Sequence, residues 1–109
     1  MTQAVAALAW CPFPNRELAR EVARTLLSEK LIACANLIGE VESIFQWEEE
    51  IAEGKEVAVL FKTTSERLDS LTVRLGELHP YDTPAVLGWH CDASLPATLE
   101  WLGSTVQPG

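Results

Sequence analysis

Cys11 and His79 are the side chains in this sequence best suited to soft-metal or proton-transfer chemistry. A thiolate with an imidazole suits Cu(I) or Cu(II), whereas calcium and magnesium take oxygen ligands. Linear Cu(I) can accept two ligands; a stable Zn(II) site takes about four, so water, Asp82 or another subunit would have to help. The same pair could serve a thiol enzyme, with Cys11 as nucleophile, His79 as base and Asp82 as orienter. Cys11 precedes an expected helix N-terminus, which would lower its pKa. No oxyanion hole is visible, however, and Asp82 is held close to His79 on a stiff corner. The expectation is therefore a non-enzymatic protein, with no catalytic or cofactor-binding residue assigned.

That corner is His79-Pro80-Tyr81-Asp82-Thr83-Pro84. Each proline fixes its own φ and drives the preceding residue, His79 or Thr83, toward extended geometry, so the segment cannot be helix. Tyr81 is expected to pack at the corner or at an interface. His90-Cys91-Asp92 resembles a metal triplet, but in a strand His90 and Cys91 point to opposite faces and the three cannot converge on one ion. Glu48-Glu49-Glu50 and Glu53 read as a solvated hairpin tip. Trp10, Trp47, Trp89 and Trp101 read as core or interface anchors.

The chain has 109 residues, 48% of them hydrophobic and 22% charged, a composition for one globular domain spanning 1–109. With 16 acidic residues against 8 basic and a formal charge of −8, it is poorly suited to nucleic acid or to anionic membranes. Cys11, Cys34 and Cys91 form no CxxC pair and are odd in number, so a reducing compartment fits better than a disulfide framework. Met1-Thr2-Gln3 has no basic leader character, and the apolar run after it is too short to span a bilayer. The chain reads as soluble and cytoplasmic.

The elements that would position the site follow from periodicity. Ala4 to Trp10 is a continuous apolar run, a buried strand ended by Pro12 and Pro14. Asn15 is a helix N-cap, and Leu18, Val22 and Leu26 with Ala19, Ala23, Leu27 and Leu31 form an apolar stripe. Glu17–Arg20 and Glu21–Arg24 are spaced for ion pairs on another face. A second strand starts at Ala33 to Leu37 and continues by alternation through Val41, Ser43, Phe45 and Trp47, with Ile44 breaking the polar side. Glu53-Gly54-Lys55 signals a turn, and Val57 to Phe61 returns as a third strand, making a long hairpin. Thr63 and Glu66 are spaced for a capping box ahead of Leu68, Leu71, Leu75 and Leu78. After the corner, Ala85 to Trp89 is a fourth strand. Ser94 to Leu102 forms a short helix with Ser94 as cap and Gly103 as stop.

This order, βαββαβ plus a short C-terminal helix, is the α+β ferredoxin-like sandwich. Right-handed crossovers place strand three between strands one and two, and strand one between three and four. The end of strand one at Cys11 then lies beside the corner at His79.

The chain resembles the CutA divalent-cation tolerance proteins. The match rests on Cys11, Lys30-Leu31, Ala33-Cys34-Ala35-Asn36, Trp47-Glu48, Lys62-Thr63-Thr64, His79-Pro80-Tyr81, Pro84 and Leu99-Glu100-Trp101-Leu102. The resemblance implies a homotrimer whose long hairpins meet edge to edge, which would cover an otherwise open strand. It also implies tolerance of divalent cations, copper above all, with metal bound at Cys11 and His79 and none required for folding. Leu78 and Ala85 occupy the family's other ligand positions, and Glu49 stands where members often have glycine. The alternative is a structural or signalling trimer that takes a protein or small ligand in its intersubunit clefts.

Overall fold

The computed structural model describes residues 4–106, so the reading of residues 1–3 lies outside it. The elements are β1 (Ala6–Phe13), α1 (Arg16–Ser28), β2 (Cys34–Trp47), β3 (Glu50–Thr64), α2 (Leu68–Leu78), β4 (Leu87–His90) and α3 (Pro96–Thr105). The strands form one antiparallel sheet in the order β2-β3-β1-β4, which is the ferredoxin-like order expected.

Helices α1 and α2 cover one face. There Ala9, Cys11 and Phe13 of β1 and Val57, Val59 and Phe61 of β3 join Leu26, Leu71 and Leu75 in the main core. Each large side chain fully buried in this way contributes roughly 1.5–3 kcal/mol. Ala58, Leu102 and Val106 are buried outside that cluster. Because Ala58 alternates with Val57 and Val59, it faces the opposite side of the sheet.

The Asn15 side chain caps α1 by accepting the Leu18 N–H at 2.9 Å. At the other end, Lys30 N–H donates to Leu27 O at 3.1 Å and Leu31 N–H to Leu26 O at 3.0 Å. This is a Schellman closure, and Lys30 holds its left-handed position at φ 63° without being glycine. Of the apolar stripe, Leu27 is exposed. The arginines of α1 do not form the ion pairs their spacing allows. Instead Arg74 of α2 reaches Glu29 in a two-pronged contact of 2.7 and 2.8 Å, tying the helices together.

Several boundaries differ from expectation, each for a local reason. β1 continues through Pro12 to Phe13 because β4 pairs only with Ala7–Trp10, leaving the proline's missing N–H on an open side. The hairpin turns at Glu48 and Glu49 (φ 50° and 69°), while Gly54 lies inside β3 opposite Ser43. Thr63 forms no capping box, being buried in β3 with its hydroxyl donating to Leu31 O at 2.8 Å; Arg67 precedes α2 without a side-chain cap. α3 is preceded by Leu95 rather than capped by Ser94, and it runs past Gly103. β4 begins at Leu87, after the corner has straightened.

The register of the hairpin shifts between Leu37 and Gly39, where Gly39 takes φ 126°. Before this bulge Leu37 pairs with Val59, on the helix side. Beyond it Val41 pairs with Glu56 and Phe45 with Ala52. Even-numbered β3 residues face away from the helices, so one extra residue has moved Phe45 and Trp47 to the opposite face of the sheet.

Candidate functional site: the end of strand β1

Cys11 and His79 come together as the topology requires, through a shared backbone acceptor. Helix α2 ends at Leu78, and the His79 N–H still bonds Leu75 O at 3.0 Å while its own backbone is extended. The His79 ring stacks on Phe13 with centroids 4.7 Å apart and contacts Tyr81 at 4.6 Å. The Tyr81 N–H donates to Nδ1 at 3.2 Å, which leaves the ring proton on Nε2 to donate to the Pro12 carbonyl at 2.8 Å. The Cys11 thiol donates weakly to the same carbonyl, with Sγ 3.7 Å away. Both imidazole nitrogens are therefore occupied by backbone partners.

Cys11 is fully buried. Burial first, and then the nearby Glu56 carboxylate, push its thiol up to about 12. This opposes the helix-dipole effect expected from sequence: Cys11 sits inside the strand, with Pro12 to Pro14 separating it from α1. The thiol is accordingly protonated near neutrality and points into the core.

As arranged, these residues do not fit a resident metal. Binding would require ionising the thiol and breaking one of the two bonds of His79. Among the described residues no three His, Cys, Asp or Glu side chains are gathered to hold an ion, and this includes His90-Cys91-Asp92. Cys11, Cys34 and Cys91 are all free thiols.

On the other side of the sheet the same strand end opens into a cavity of about 580 Å³, lined by Pro12, Phe45, Trp47, Glu56, Tyr81 and Asp82 among others. The Tyr81 hydroxyl donates to Glu56 Oε2 at 3.2 Å. Burial, then the charge of Glu56 and its acceptance of this bond, raise the Tyr81 pKa, so the phenol remains a donor. Sequence reasoning missed Glu56 and Pro12 as site residues, because Glu56 followed what looked like a turn and the bulge hides which face Phe45 occupies. Of the tryptophans, Trp47, Trp89 and Trp101 are exposed and Trp10 is half-buried, so the chain uses none of them as a fully buried core anchor.

A family model described as CutA1 divalent ion tolerance protein matches residues 7–105. The chain belongs to the CutA1 family. The CutA divalent-cation tolerance protein of Thermotoga maritima is 41% identical over 99 residues, covering 91% of this chain and 97% of that protein. The Pyrococcus horikoshii protein of the same name is 42% identical over 95 residues, covering 87% and 92%. Among solved structures, CutA1 from Pyrococcus horikoshii superposes with a TM-score of 0.87 at 39% identity, covering 93% of this chain and 98% of that one. A structure described as the periplasmic divalent cation tolerance protein CutA from Archaeoglobus fulgidus gives 0.89 at 30% identity, covering 94% and 99%. The CutA1 fold and the closed Cys11–His79 corner thus occur together in this chain.

Proposed function

We propose that this CutA1-family chain works as a non-enzymatic homotrimer in divalent-cation tolerance, with copper as a weak and transient ligand at Cys11 and His79. The observation that carries the reading is the Pro12 carbonyl shared by both side chains. It supports a packed joint over a nucleophile–base pair, since His79 is aimed at the backbone and Cys11 is protonated. Copper binding is weak on this view because it competes with those bonds. Assembly is supported by β2, an edge strand of 14 residues. Ile38, Ile44, Phe45 and Trp47 are exposed along it. An open edge of that length invites pairing with another copy.

The free cysteines suit a reducing compartment such as the cytoplasm, and the net charge supports neither nucleic acid nor an anionic membrane as partner. No described helix is long and apolar enough to cross a membrane. Cell fractionation separates this location from the periplasmic one given for the Archaeoglobus relative.

Copper titration of wild type, Cys11→Ser and His79→Ala under controlled redox conditions tests the metal assignment. Weak binding that falls in both variants is expected; equal stoichiometry and affinity in all three would remove the site. Light scattering tests the assembly, and a monomer at micromolar concentration would contradict it. A second reading, that the protein engages a small ligand or another protein beside the hairpin, is favoured by the cavity on the opposite face.

A further inference from the structure

We propose that the backbone N–H of Tyr81 locks His79 in the neutral tautomer that cannot share an ion with Cys11, an inference that rests on the copper reading above and deepens it. The residue types suggest a two-ligand corner; the bonding contradicts it, and the contradiction has an identifiable source. A carbonyl oxygen only accepts, so the Pro12 bond of 2.8 Å requires a proton on Nε2. A backbone amide N–H only donates, so the Tyr81 bond of 3.2 Å requires a lone pair on Nδ1. Together they select one of the two neutral forms of the ring.

That form is the wrong one for a shared ion. Cys11 Sγ and His79 Nε2 approach the same Pro12 oxygen, at 3.7 and 2.8 Å, so Nε2 is the nitrogen on the thiol's side. The two ring nitrogens point in divergent directions, and Nδ1 is turned to Tyr81. A neutral imidazole that ligates offers one nitrogen and carries its proton on the other. Freeing Nε2 therefore moves the proton to Nδ1, where it would face the Tyr81 N–H: two donors and no acceptor. Both existing bonds would be lost where His79 is 6% exposed, which leaves water little room to replace them.

The surroundings make the lock stiff. Pro80 restricts the backbone between His79 and Tyr81, which holds the amide against the ring two residues before it. The imidazole is packed on Phe13, stacked at 4.7 Å and 25°, and on the Tyr81 ring at 4.6 Å, so it cannot turn over to exchange nitrogens for carbons without breaking that packing. At its far end the Tyr81 side chain is tied through its hydroxyl to Glu56 Oε2, 3.2 Å away. Leu78 and Ala85 bring no polar side chain to the corner. Tyr81 is thus a positioning residue, whose amide acts on the Cys11 side of the ring through His79.

The test begins with nitrogen NMR of the full chain labelled with nitrogen-15 in histidine, using His90→Gln to tell His79 from His90. Near neutral pH, His79 should show a proton on Nε2 and a hydrogen-bonded lone pair on Nδ1. A proton on Nδ1, or a free lone pair there, overturns the proposal whatever the variants do. Replacing the Pro80–Tyr81 amide by an ester, through the α-hydroxy analogue of tyrosine, removes the N–H and keeps the side chain; Tyr81→Ala does the reverse. Copper(I) is then titrated anaerobically against a chelator, with Cys34→Ser and Cys91→Ser leaving Cys11 as the only thiol. The ester form should bind about tenfold more tightly than the wild-type backbone, and Tyr81→Ala within about threefold of it. An ester form that folds and gains nothing over Tyr81→Ala overturns the proposal. Failure of every form to bind, with the expected wild-type spectrum, sinks the copper reading alone and leaves the lock standing.

Discussion

Cys11 and Pro12 are neighbours in one strand, yet they look onto opposite environments. On the Cys11 side, Phe13, His79 and the helices close over the sheet. On the Pro12 side, Phe45, Trp47 and Glu56 stand open. The residues whose types suggest chemistry lie on the closed side, and the usable space lies on the other. Reactive side-chain type is therefore a poor guide here, because a thiol and an imidazole can also serve as well-packed structural parts.

Four experiments would break or sharpen that contrast. The largest effect concerns the thiol. With the Cys11 pKa raised from 9.0 to about 12, its thiolate population near neutrality falls on the order of a thousandfold, before any loss of access. Peptide mapping after iodoacetamide treatment should find Cys34 and Cys91 modified long before Cys11, and equal labelling would open the closed side. The same shift sets an alkaline limit. Stability from keeping this thiol protonated is fully present below about pH 9 and is lost as pH rises toward about 12, because the unfolded chain releases the proton first.

Next in size is Phe13→Ala, which removes both the His79 stack and the edge contact with Phe61 at 6.3 Å. A loss of ~3–5 kcal/mol in urea denaturation is expected; a loss under about 1 kcal/mol would show that the corner stands without it. His79→Ala orphans the Tyr81 N–H and weakens the bonding of the Pro12 carbonyl, for roughly 1–3 kcal/mol by the same measurement. If instead only copper affinity changed, the structural role given to His79 would be wrong. Smallest is Glu49→Gly at the hairpin tip, where φ is 69°. Relief of left-handed strain should raise stability by ~1 kcal/mol, and a decrease would mean that the glutamate side chain has a partner.

Much of the architecture could be read from the chain because the signals agreed with one another. The α1 stripe, its Asn15 cap, the apolar runs of β1 and β3 and the proline corner each carry a local physical cause that tertiary packing did not override. The hairpin was misjudged where local chemistry was atypical. Gly54 advertises a turn it does not make, whereas Glu48 and Glu49 make one without glycine, asparagine or proline. Thr63 and Glu66 have capping-box spacing, but Leu31 O takes the threonine hydroxyl first. The meeting of Cys11 and His79 followed from topology. Their bonding to Pro12 did not, since a residue pattern carries no information about which carbonyl an imidazole will find. The open side was invisible for a related reason, as nothing in the alternation of β2 announces that Gly39 interrupts it.

That glycine makes length itself meaningful in the hairpin. Losing one residue at the bulge would leave Val41 opposite Glu56 and Phe45 opposite Ala52, because the extra residue there has no partner on β3, whereas losing one residue of β2 beyond the bulge would carry Phe45 and Trp47 to the other face. Losing one residue from each strand of the same rung would keep the pairing but turn both strands over beyond it, since facing alternates with every residue; only the loss of two from each strand would shorten the arm and keep its faces. The reach of this arm can thus change without exchanging its faces only in steps of two residues per strand.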